Sequence, residues 1–550
     1  MILDPQGSLV WTDTQFREPF NLDIQEYKGE PHLTFWAGEK LGAHGKGLNY
    51  IVNSSYHIVK VIKAGNDLDA DLHEFNLLPS SNTALLVTYL RRQIDLRQMN
   101  DGPKDGWIWD GGFQEVDLET GEVLFDWRAS DHVPLTKTYT ERHDGDGLKA
   151  DEAIDWFHIN SVDKDRQGNY LVSARHLHAL LCINSITSKI IWQLGGKDNM
   201  FRDLTDYTTG PDRPSPTNIA LQHHARWRDN YTSITLFNNG ADSKEPSASM
   251  WFDIDPVART IRTRGVYISP SNVFAMFQGS MSILPSGNIL LGYGSSAQYT
   301  EFTPDGTAIC DFRFSPFKDF NTNAVESYRV FKGDWVGRPD TNPDVLLETD
   351  LFNRNKWMYI SWMGATEVRN WRIEAKSSQH EEEEEEGTER AEETVVTIVT
   401  IPKDGFETAI DLSSHGIVAD ISEQVSDLGV PAIRELQFFR AVALDANDAV
   451  LGTSAWVDAD EQLIIDSSAS VSSSSIVSAS SFSFSSSTKN NSKEPKQYFL
   501  PVTLAAVMIM LLGLLPCFWF LVVWLRKRHS LRNATMVAYQ PVPGMEMSYS

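Results

Sequence analysis

A short motif recurs four times along this chain, and each copy precedes a pair of predicted strands. The copies lie at residues 71–75, 157–160, 221–225 and 277–281. Turns rich in Gly, Asn and Asp, such as residues 285–288, separate the paired strands. Serial repetition of such a unit predicts an all-β fold, a β-propeller of six or seven blades. No long amphipathic helix is predicted.

The phase of the repeats predicts where polar side chains meet. If equivalent strands begin at one end of a central channel, His73, His158 and His223 converge there. The fourth copy carries Gln278 at this position. Neighbouring residues of a strand point to opposite sides, so at most one of His223 and His224 faces the channel.

Two further residues suggest the chemistry of this pocket. Arg175 closes the strand that follows His158, and its planar fork of donors fits an oxyanion. Asn160 lies two residues after His158, on the same strand face, and adds an amide. Imidazoles can act as nucleophiles and proton carriers near neutral pH. The set is typical of a pocket for a sulfuryl or phosphoryl group, and no Walker-type loop accompanies it.

Other interpretations of these histidines are available. A single histidine at a strand start is more often structural than catalytic, although its recurrence in three repeats favours function. Three or four histidines could instead hold iron or zinc. Gln278 at the fourth position and the cationic Arg175 argue against this, so neither a metal nor another cofactor is expected. His176 and His178 are expected to be loop residues.

Composition limits the possible partners. The formal net charge of −26 argues against binding to nucleic acid, because little positive charge is available to neutralise phosphates. A hydrophobic content of 41% and 16 tryptophans are ample for a large core. The acidic run at residues 381–386 is interpreted as a solvated loop. Three cysteines are too few for a disulfide framework, although a single disulfide between Cys182 and Cys310 is compatible with the sequence.

The C-terminal third changes character. Residues 1–458 are assigned to the propeller, with a disordered acidic insertion at 376–394. A serine-rich stalk follows at 459–498. Residues 499–525 carry no formal charge and could span a hydrocarbon core of about 30 Å. The basic residues 526–528 then predict a cytosolic tail at 526–550 and a lumenal or extracellular body.

That topology requires translocation, yet no signal peptide is recognisable in the first residues. We expect the true amino terminus to lie upstream. Sequons at Asn53, Asn230 and Asn490 are consistent with a glycoprotein of the secretory pathway. No obligate protein partner is inferred.

Several longer stretches together resemble the arylsulfotransferase (ASST) superfamily, specifically its eukaryotic, mostly fungal, branch. The resemblance covers approximately residues 1–375 and 403–457. The stretches that carry it are residues 25–36, 71–75, 110–117, 155–161, 222–226, 280–288 and 361–368. Enzymes of the bacterial branch are six-bladed propellers, so six blades are favoured.

The resemblance implies an enzyme that moves a sulfuryl group from a phenolic sulfate ester to a phenol, without the nucleotide donor PAPS. His223 matches the nucleophile that forms a sulfohistidine. His158 and Asn160 match a His-x-Asn motif, Arg175 the downstream arginine and His73 a further pocket histidine. Asn160, Gln278 and His224 are expected to contact substrate, and either His73 or His158 to handle the phenolic proton. The alternative is a membrane-tethered propeller that binds without turnover.

Overall fold

The computed structural model describes residues 1–207, 214–240, 245–316, 318, 324–349, 355–377, 395–412 and 436–459. Within these residues the chain forms strands and short 3-10 turns and no α-helix. The all-β prediction is confirmed. All of the described residues belong to one compact unit.

The first two sheets contain β1 to β11. A two-stranded sheet pairs β1 and β2, and a nine-stranded sheet has the order β10-β9-β8-β7-β5-β4-β3, with β6 on β5 and β11 on β9. Their bounds are β1 Ile2–Leu3, β2 Leu9–Trp11, β3 Phe20–Tyr27, β4 Glu30–Leu41, β5 His44–Val52, β6 Ile58–Ile62, β7 Ala70–Leu78, β8 Thr83–Ile94, β9 Gly106–Asp117, β10 Val123–Arg128 and β11 Ile154–Asp155.

Three sheets of four or five strands come next, with the orders β12-β13-β14-β15, β16-β20-β19-β18-β17 and β21-β22-β23-β24. Their bounds are β12 Ile159–Lys164, β13 Tyr170–Ala174, β14 Ala179–Ile183, β15 Ile190–Gly195, β16 Arg202–Asp203, β17 His223–Arg228, β18 Ser233–Asn238, β19 Ala248–Asp255, β20 Thr260–Ile268, β21 Ser280–Ile283, β22 Ile289–Gly292, β23 Gln298–Phe302 and β24 Ala308–Arg313.

Two further sheets complete the described part, with the orders β25-β26-β29 and β28-β27-β30-β31, the latter with β32 on β30. Their bounds are β25 Asp344–Thr349, β26 Lys356–Ser361, β27 Asn370–Ser377, β28 Val396–Pro402, β29 Glu407–Asp411, β30 Leu436–Leu444, β31 Val450–Thr453 and β32 Val457–Asp458. The 3-10 turns are Ala129–Asp131, Leu135–Lys137, Ala150–Glu152, Arg175–Leu177, Pro216–Asn218, Asp229–Tyr231 and Gly294–Ser296.

The tight turns predicted from sequence supply the reversals between these strands. Between β12 and β13, the Asp165 carboxylate accepts the backbone N–H of Asn169 at 2.8 Å. Gly168 has a φ of +86°, which only glycine adopts at little cost. Antiparallel neighbours joined by such turns form the meander that builds each sheet.

Strand β7 of the nine-stranded sheet and one edge strand of each of the next three sheets lie side by side. Strand β7 contacts β3 and β12, β12 contacts β17, and β17 contacts β21. This is the arrangement in which propeller blades place their inner strands around an axis. Buried aromatic residues fill the space between sheets. Trp156 and Tyr170 belong to one core cluster, and Trp192 and Trp227 belong to another. The fold is therefore propeller-like.

Three of the four repeated motifs contain a residue with left-handed backbone. The φ angles of His158, His224 and Gln278 are 56°, 53° and 67°. The ladder of β12 shifts register after Ile159, and that of β17 shifts after His223. Histidine tolerates this backbone region better than most residues. The shifts interrupt regular pairing at the inner end of the strands, where the polar side chains gather.

Several sequence predictions concern residues outside the described part. Most of the acidic insertion, the serine-rich stalk, the apolar segment 499–525 and the tail lie there, although β27 extends to Ser377, inside the predicted insertion. Among the described residues no helix is long and apolar enough to cross a membrane. Cys182 is buried and Cys310 exposed, and both are free thiols.

Candidate active site

His223 is the first residue of β17, and its ring is held at one nitrogen by Asn239. The distance from His223 Nδ1 to Asn239 Oδ1 is 2.7 Å. Asn239 Nδ2 donates to the carbonyls of Ala275 and Gln278, each at 2.9 Å, so Oδ1 must be the acceptor. The proton of His223 therefore sits on Nδ1. Nε2 keeps its lone pair and receives only a long contact, 3.3 Å, from the backbone N–H of Gln278.

The surroundings keep His223 neutral. Its side chain is only 2% exposed, and this burial holds the pKa of His223 well below the usual value. The nearby Arg175 guanidinium lowers this pKa further, while the bond to Asn239 opposes the shift. An imidazole that is unprotonated at Nε2 is the form that can attack an electrophile.

His73 and His158 lie together, each paired with an aspartate two or three residues before it. Their ring centroids are 4.7 Å apart. His73 Nδ1 bonds to Asp71, and His158 Nδ1 lies 2.5 Å from Asp155 Oδ2. Each carboxylate fixes the tautomer of its ring, so each Nε2 is available for proton transfer.

The Asp155 carboxylate serves three imidazoles. Burial disfavours its charge, but His158, His44 and His176 hold the pKa of Asp155 well below its usual range. Burial lowers the pKa of His158 far below its usual value, and Asp155 opposes this shift. The His158 and His44 rings have centroids 5.6 Å apart, so this carboxylate orients a cluster of rings.

Arg175 opens the 3-10 turn that follows β13. Its Nη1 donates to His176 Nε2 at 2.6 Å and its Nη2 to the carbonyl of Met276 at 3.3 Å. Arg175 Nε is buried and has no partner among the described residues. The guanidinium is thus fixed between β13 and the segment that precedes Gln278, where it acts electrostatically on His223.

Tyr328 connects the two histidine groups. Its ring centroid lies 5.5 Å from that of His73 and 6.3 Å from that of His223. On the other side of His73, Tyr89 lies 6.0 Å away and donates its hydroxyl to the carbonyl of Ile159 at 2.8 Å. The pocket therefore combines imidazoles with aromatic surface.

Asn160 and Gln278 border His223 through the backbone. Asn160 Nδ2 donates to the carbonyl of Gln222 at 2.6 Å, immediately before His223, while its Oδ1 is buried with no partner among the described residues. Gln278 is 7% exposed, and its side-chain Nε2 donates to Glu326. Both residues support the position of His223.

His224 is the one predicted site residue that lies apart from this group. Its Nδ1 accepts the backbone N–H of Met281 at 3.2 Å, and its ring packs against Phe331. It lines a second cavity. The register shift of β17 after His223 and the left-handed backbone of His224 direct these two adjacent side chains to different places.

Sequence reasoning missed several residues of the site. His44 lies at the start of β5, with its ring centroid 4.5 Å from that of Trp109. Asp71 and Asp155 precede their histidines by two and three positions, and this recurrence was a usable signal. The remaining ones are His176, Asn239, Tyr89 and Tyr328. Those four carry no repeated pattern: Tyr89 lies on β8, and the other three lie in a turn or in segments between strands.

Two groups of side chains have a spacing that a metal ion could use. They are His44, Asp155 and His158, and His44, Asp71 and His73, each with ligand atoms within 4.8 Å of one another. In both groups the carboxylate already accepts a hydrogen bond from a ring nitrogen. The His–Asp pairs therefore account for this geometry by themselves.

Comparison with solved structures finds remote matches. A luciferin-regenerating enzyme is 10% identical with a TM-score of 0.30, covering 65% of this chain and 86% of that one. The hydrazine synthase of Kuenenia stuttgartiensis is 9% identical with a TM-score of 0.28, covering 64% and 77%. Virginiamycin B lyase from Staphylococcus aureus is 8% identical with a TM-score of 0.27, covering 57% and 75%. No curated protein matches the chain.

The family comparison is more informative. The family model described as arylsulfotransferase (ASST) matches residues 23–315, more than half of the chain. The matched region contains both His–Asp pairs, Arg175, and His223 with its partner Asn239. The chain belongs to the arylsulfotransferase (ASST) family.

Proposed function

We propose that this protein transfers a sulfuryl group from a phenolic sulfate ester to a phenol, through a sulfohistidine at His223. The observation that carries the proposal is the state of the His223 ring. Asn239 Oδ1 accepts the proton of His223 Nδ1, with 2.7 Å between the two atoms. Nε2 of the same ring is therefore unprotonated, in a buried pocket. Membership of the arylsulfotransferase family supports the substrate class.

In the first half-reaction, His223 Nε2 attacks the sulfur of the ester. The N–S bond forms as the bond between sulfur and the phenolic oxygen breaks, and that oxygen takes the electron pair. His158 or His73 donates a proton to it, and the phenol leaves. The donating ring must carry a proton on Nε2 before this step, and for His158 the Asp155 carboxylate favours that protonated form against the effect of burial.

In the second half-reaction, an acceptor phenol gives its proton to the same imidazole. Its oxygen attacks sulfur, and the N–S bond returns its electron pair to His223 Nε2. A loose sulfuryl transition state places charge on the three non-bridging oxygens. Arg175 is the cation next to His223 and is suited to stabilise that negative charge. Asn160, which donates to the carbonyl of Gln222 just before His223, adds an amide nearby. No nucleotide donor takes part.

An aromatic substrate suits the walls of the pocket. Tyr89, Trp109 and Tyr328 surround the His44 and His73 rings, with centroid separations of 4.1 to 6.0 Å. Arg91 covers Trp109 at 4.6 Å, on the extension formed by β8 and β9. Phenol rings bind such surfaces by stacking and edge contacts.

The test compares turnover with covalent labelling in the full chain. Purified protein is incubated with a chromogenic aryl sulfate, with and without a phenol acceptor, beside His223→Asn and the exposed control His57→Asn. We expect turnover in the wild type and the control and none in His223→Asn. Mass spectrometry after donor alone should show an adduct of about 80 Da, the mass of an added SO₃. Absence of turnover and of adduct with a panel of donors would favour a binding protein without catalysis.

We also propose the setting in which the enzyme works. The apolar segment 499–525 and the basic residues 526–528 support a single membrane anchor with the body lumenal or extracellular. The serine-rich stretch 459–498 would form its stalk, and Asn53 and Asn230 would carry glycans. We further propose that the propeller has six blades and that the chain belongs to the eukaryotic, mostly fungal, branch of the family. Protease protection of the tail in sealed vesicles tests the topology.

A further inference from the structure

A second cavity lies on the other side of the inner strands from the histidine pocket. Its volume is about 220 Å³. The residues next to the pocket histidines line it, Glu74 after His73 and His224 after His223. The same two strands therefore contribute adjacent side chains to the histidine pocket and to this cavity.

Positive charge exceeds negative charge in this second cavity. Glu74 is its one fully buried carboxylate, and it is shared by Arg226 at 2.8 Å and Arg329 at 2.9 Å. The remaining carboxyl group there is Asp23, whose pKa is raised by burial to about 7. A third arginine, Arg228, forms no ion pair in the described part of the chain, and Asp163 and Asp229 act on it only at longer range.

Three hydrogen-bond donors in the cavity have no acceptor among the described residues. Arg228 uses Nε for Thr235 Oγ1 at 3.2 Å, which leaves its two terminal nitrogens. His224 is 2% exposed, and its Nδ1 accepts from Met281, so the ring proton sits on the unpartnered Nε2. The third donor is the hydroxyl of Ser282, from β21.

We propose that this cavity binds a small tetrahedral oxyanion, of the sulfate or phosphate class, through Arg228, His224 and Ser282. A guanidinium fork, an imidazole N–H and a hydroxyl complement a ligand whose oxygens all accept. The donors come from two different sheets, so they approach the anion from different directions. The cavity is large enough for such an ion, since one water needs only about 10–15 Å³ of the same volume.

The electrostatics of His224 agree with this assignment. Burial holds the pKa of His224 well below its usual value, and Arg226, Arg329 and Arg228 lower it further. The same field that disfavours a proton on His224 favours an anion beside it. A bound oxyanion would therefore raise the pKa of His224, which NMR of the imidazole can detect.

The site does not depend on the transfer reaction proposed above. The experiment uses calorimetric titration of the full chain with sodium sulfate, and separately with inorganic phosphate, in a buffer free of both. The background is Arg175→Gln, so that the histidine pocket does not contribute an anion site. We expect saturable binding that weakens roughly tenfold or more in Arg228→Gln and persists in the exposed control Arg97→Gln.

Ser282→Ala removes one neutral donor and leaves every charge in place. It tests the site independently if Arg228→Gln does not fold. It should weaken binding by a few fold, with an unchanged melting temperature. The ranking of sulfate and phosphate identifies the preferred ion, and either ranking supports the site. Wild-type affinity in both Arg228→Gln and Ser282→Ala, or no binding at all, would overturn the proposal. Turnover in the aryl sulfate assay is scored separately, so failure of one proposal leaves the other standing.

Discussion

Asn239 Oδ1 lies 2.7 Å from His223 Nδ1 and decides which nitrogen of that ring is nucleophilic. Asn239 is fully buried, and both protons of its amide are committed to backbone carbonyls. It can therefore act toward His223 only as an acceptor. The two residues belong to one sheet, His223 opening β17 and Asn239 following β18 directly.

Replacing Asn239 tests this relationship. In Asn239→Ala the tautomer is no longer fixed, and we expect kcat to fall roughly 10- to 100-fold, as for other residues that orient a reactive histidine. In Asn239→Asp the added negative charge raises the pKa of His223. The acidic limb of the pH–rate profile should then move to higher pH, because only the unprotonated ring attacks. A merely structural role would lower activity without moving that limb.

Asp155→Asn tests the proton-transfer role of His158. Asp155 raises the pKa of His158 against the effect of burial, so its removal leaves a smaller fraction of His158 protonated and able to donate to the leaving phenol. We expect a loss in kcat of roughly 10²-fold for donors with basic phenol leaving groups. The loss should be smaller for nitrophenyl sulfate, whose leaving group needs no proton. A uniform loss across the donor series would contradict the role.

Glu74 is expected to be a large contributor to stability. It is buried between Arg226 and Arg329 and also accepts the backbone N–H of Val162 at 3.0 Å. Glu74→Gln leaves two buried cations without their partner, so unfolding free energy should fall by about 3–5 kcal/mol. The two arginines lower the folded-state pKa of Glu74 against the effect of burial.

The pH dependence of that contribution has a defined sign. A carboxylate with a lowered folded-state pKa stabilises the fold above its unfolded pKa and loses this effect as pH falls through the folded value. The difference in melting temperature between wild type and Glu74→Gln should therefore be full at pH 6 and shrink toward pH 3. A difference independent of pH would point to packing alone.

Asp23 should behave in the opposite way. Burial raises its folded-state pKa to about 7, above the value of an unfolded aspartate. Between the unfolded-state and folded-state pKa values, Asp23 takes up a proton on folding. The free energy of unfolding therefore declines as pH rises, by at most about 1.4 kcal/mol per pH unit. Asp23→Asn should remove the decline. Chemical denaturation at pH 5 and pH 8 measures it, and an equal effect of the variant at both would refute this expectation.

Much of the candidate site was accessible from the sequence because it is repeated. His73, His158 and His223 each lie in one of the repeated motifs. Asn160 lies two residues after His158, and Arg175 directly follows the next strand, so both could be found from the same motif. His44, Asn239 and Tyr328 have no such repetition. They enter the pocket from β5, from the end of β18 and from a segment beyond β24, and only long-range packing brings them there.

The sequence by itself determined that the chain builds serial antiparallel sheets, since strand periodicity and turn residues are local properties of the backbone. It also determined which residue types could meet at their inner ends. The separation of His223 from His224 was also predicted, but the tertiary structure alone decided which residues from elsewhere in the chain surround His224, that a single carboxylate orients several imidazoles, and that Asn239 selects the reactive nitrogen. Those relationships depend on distances between residues far apart in the chain, which local periodicity does not encode.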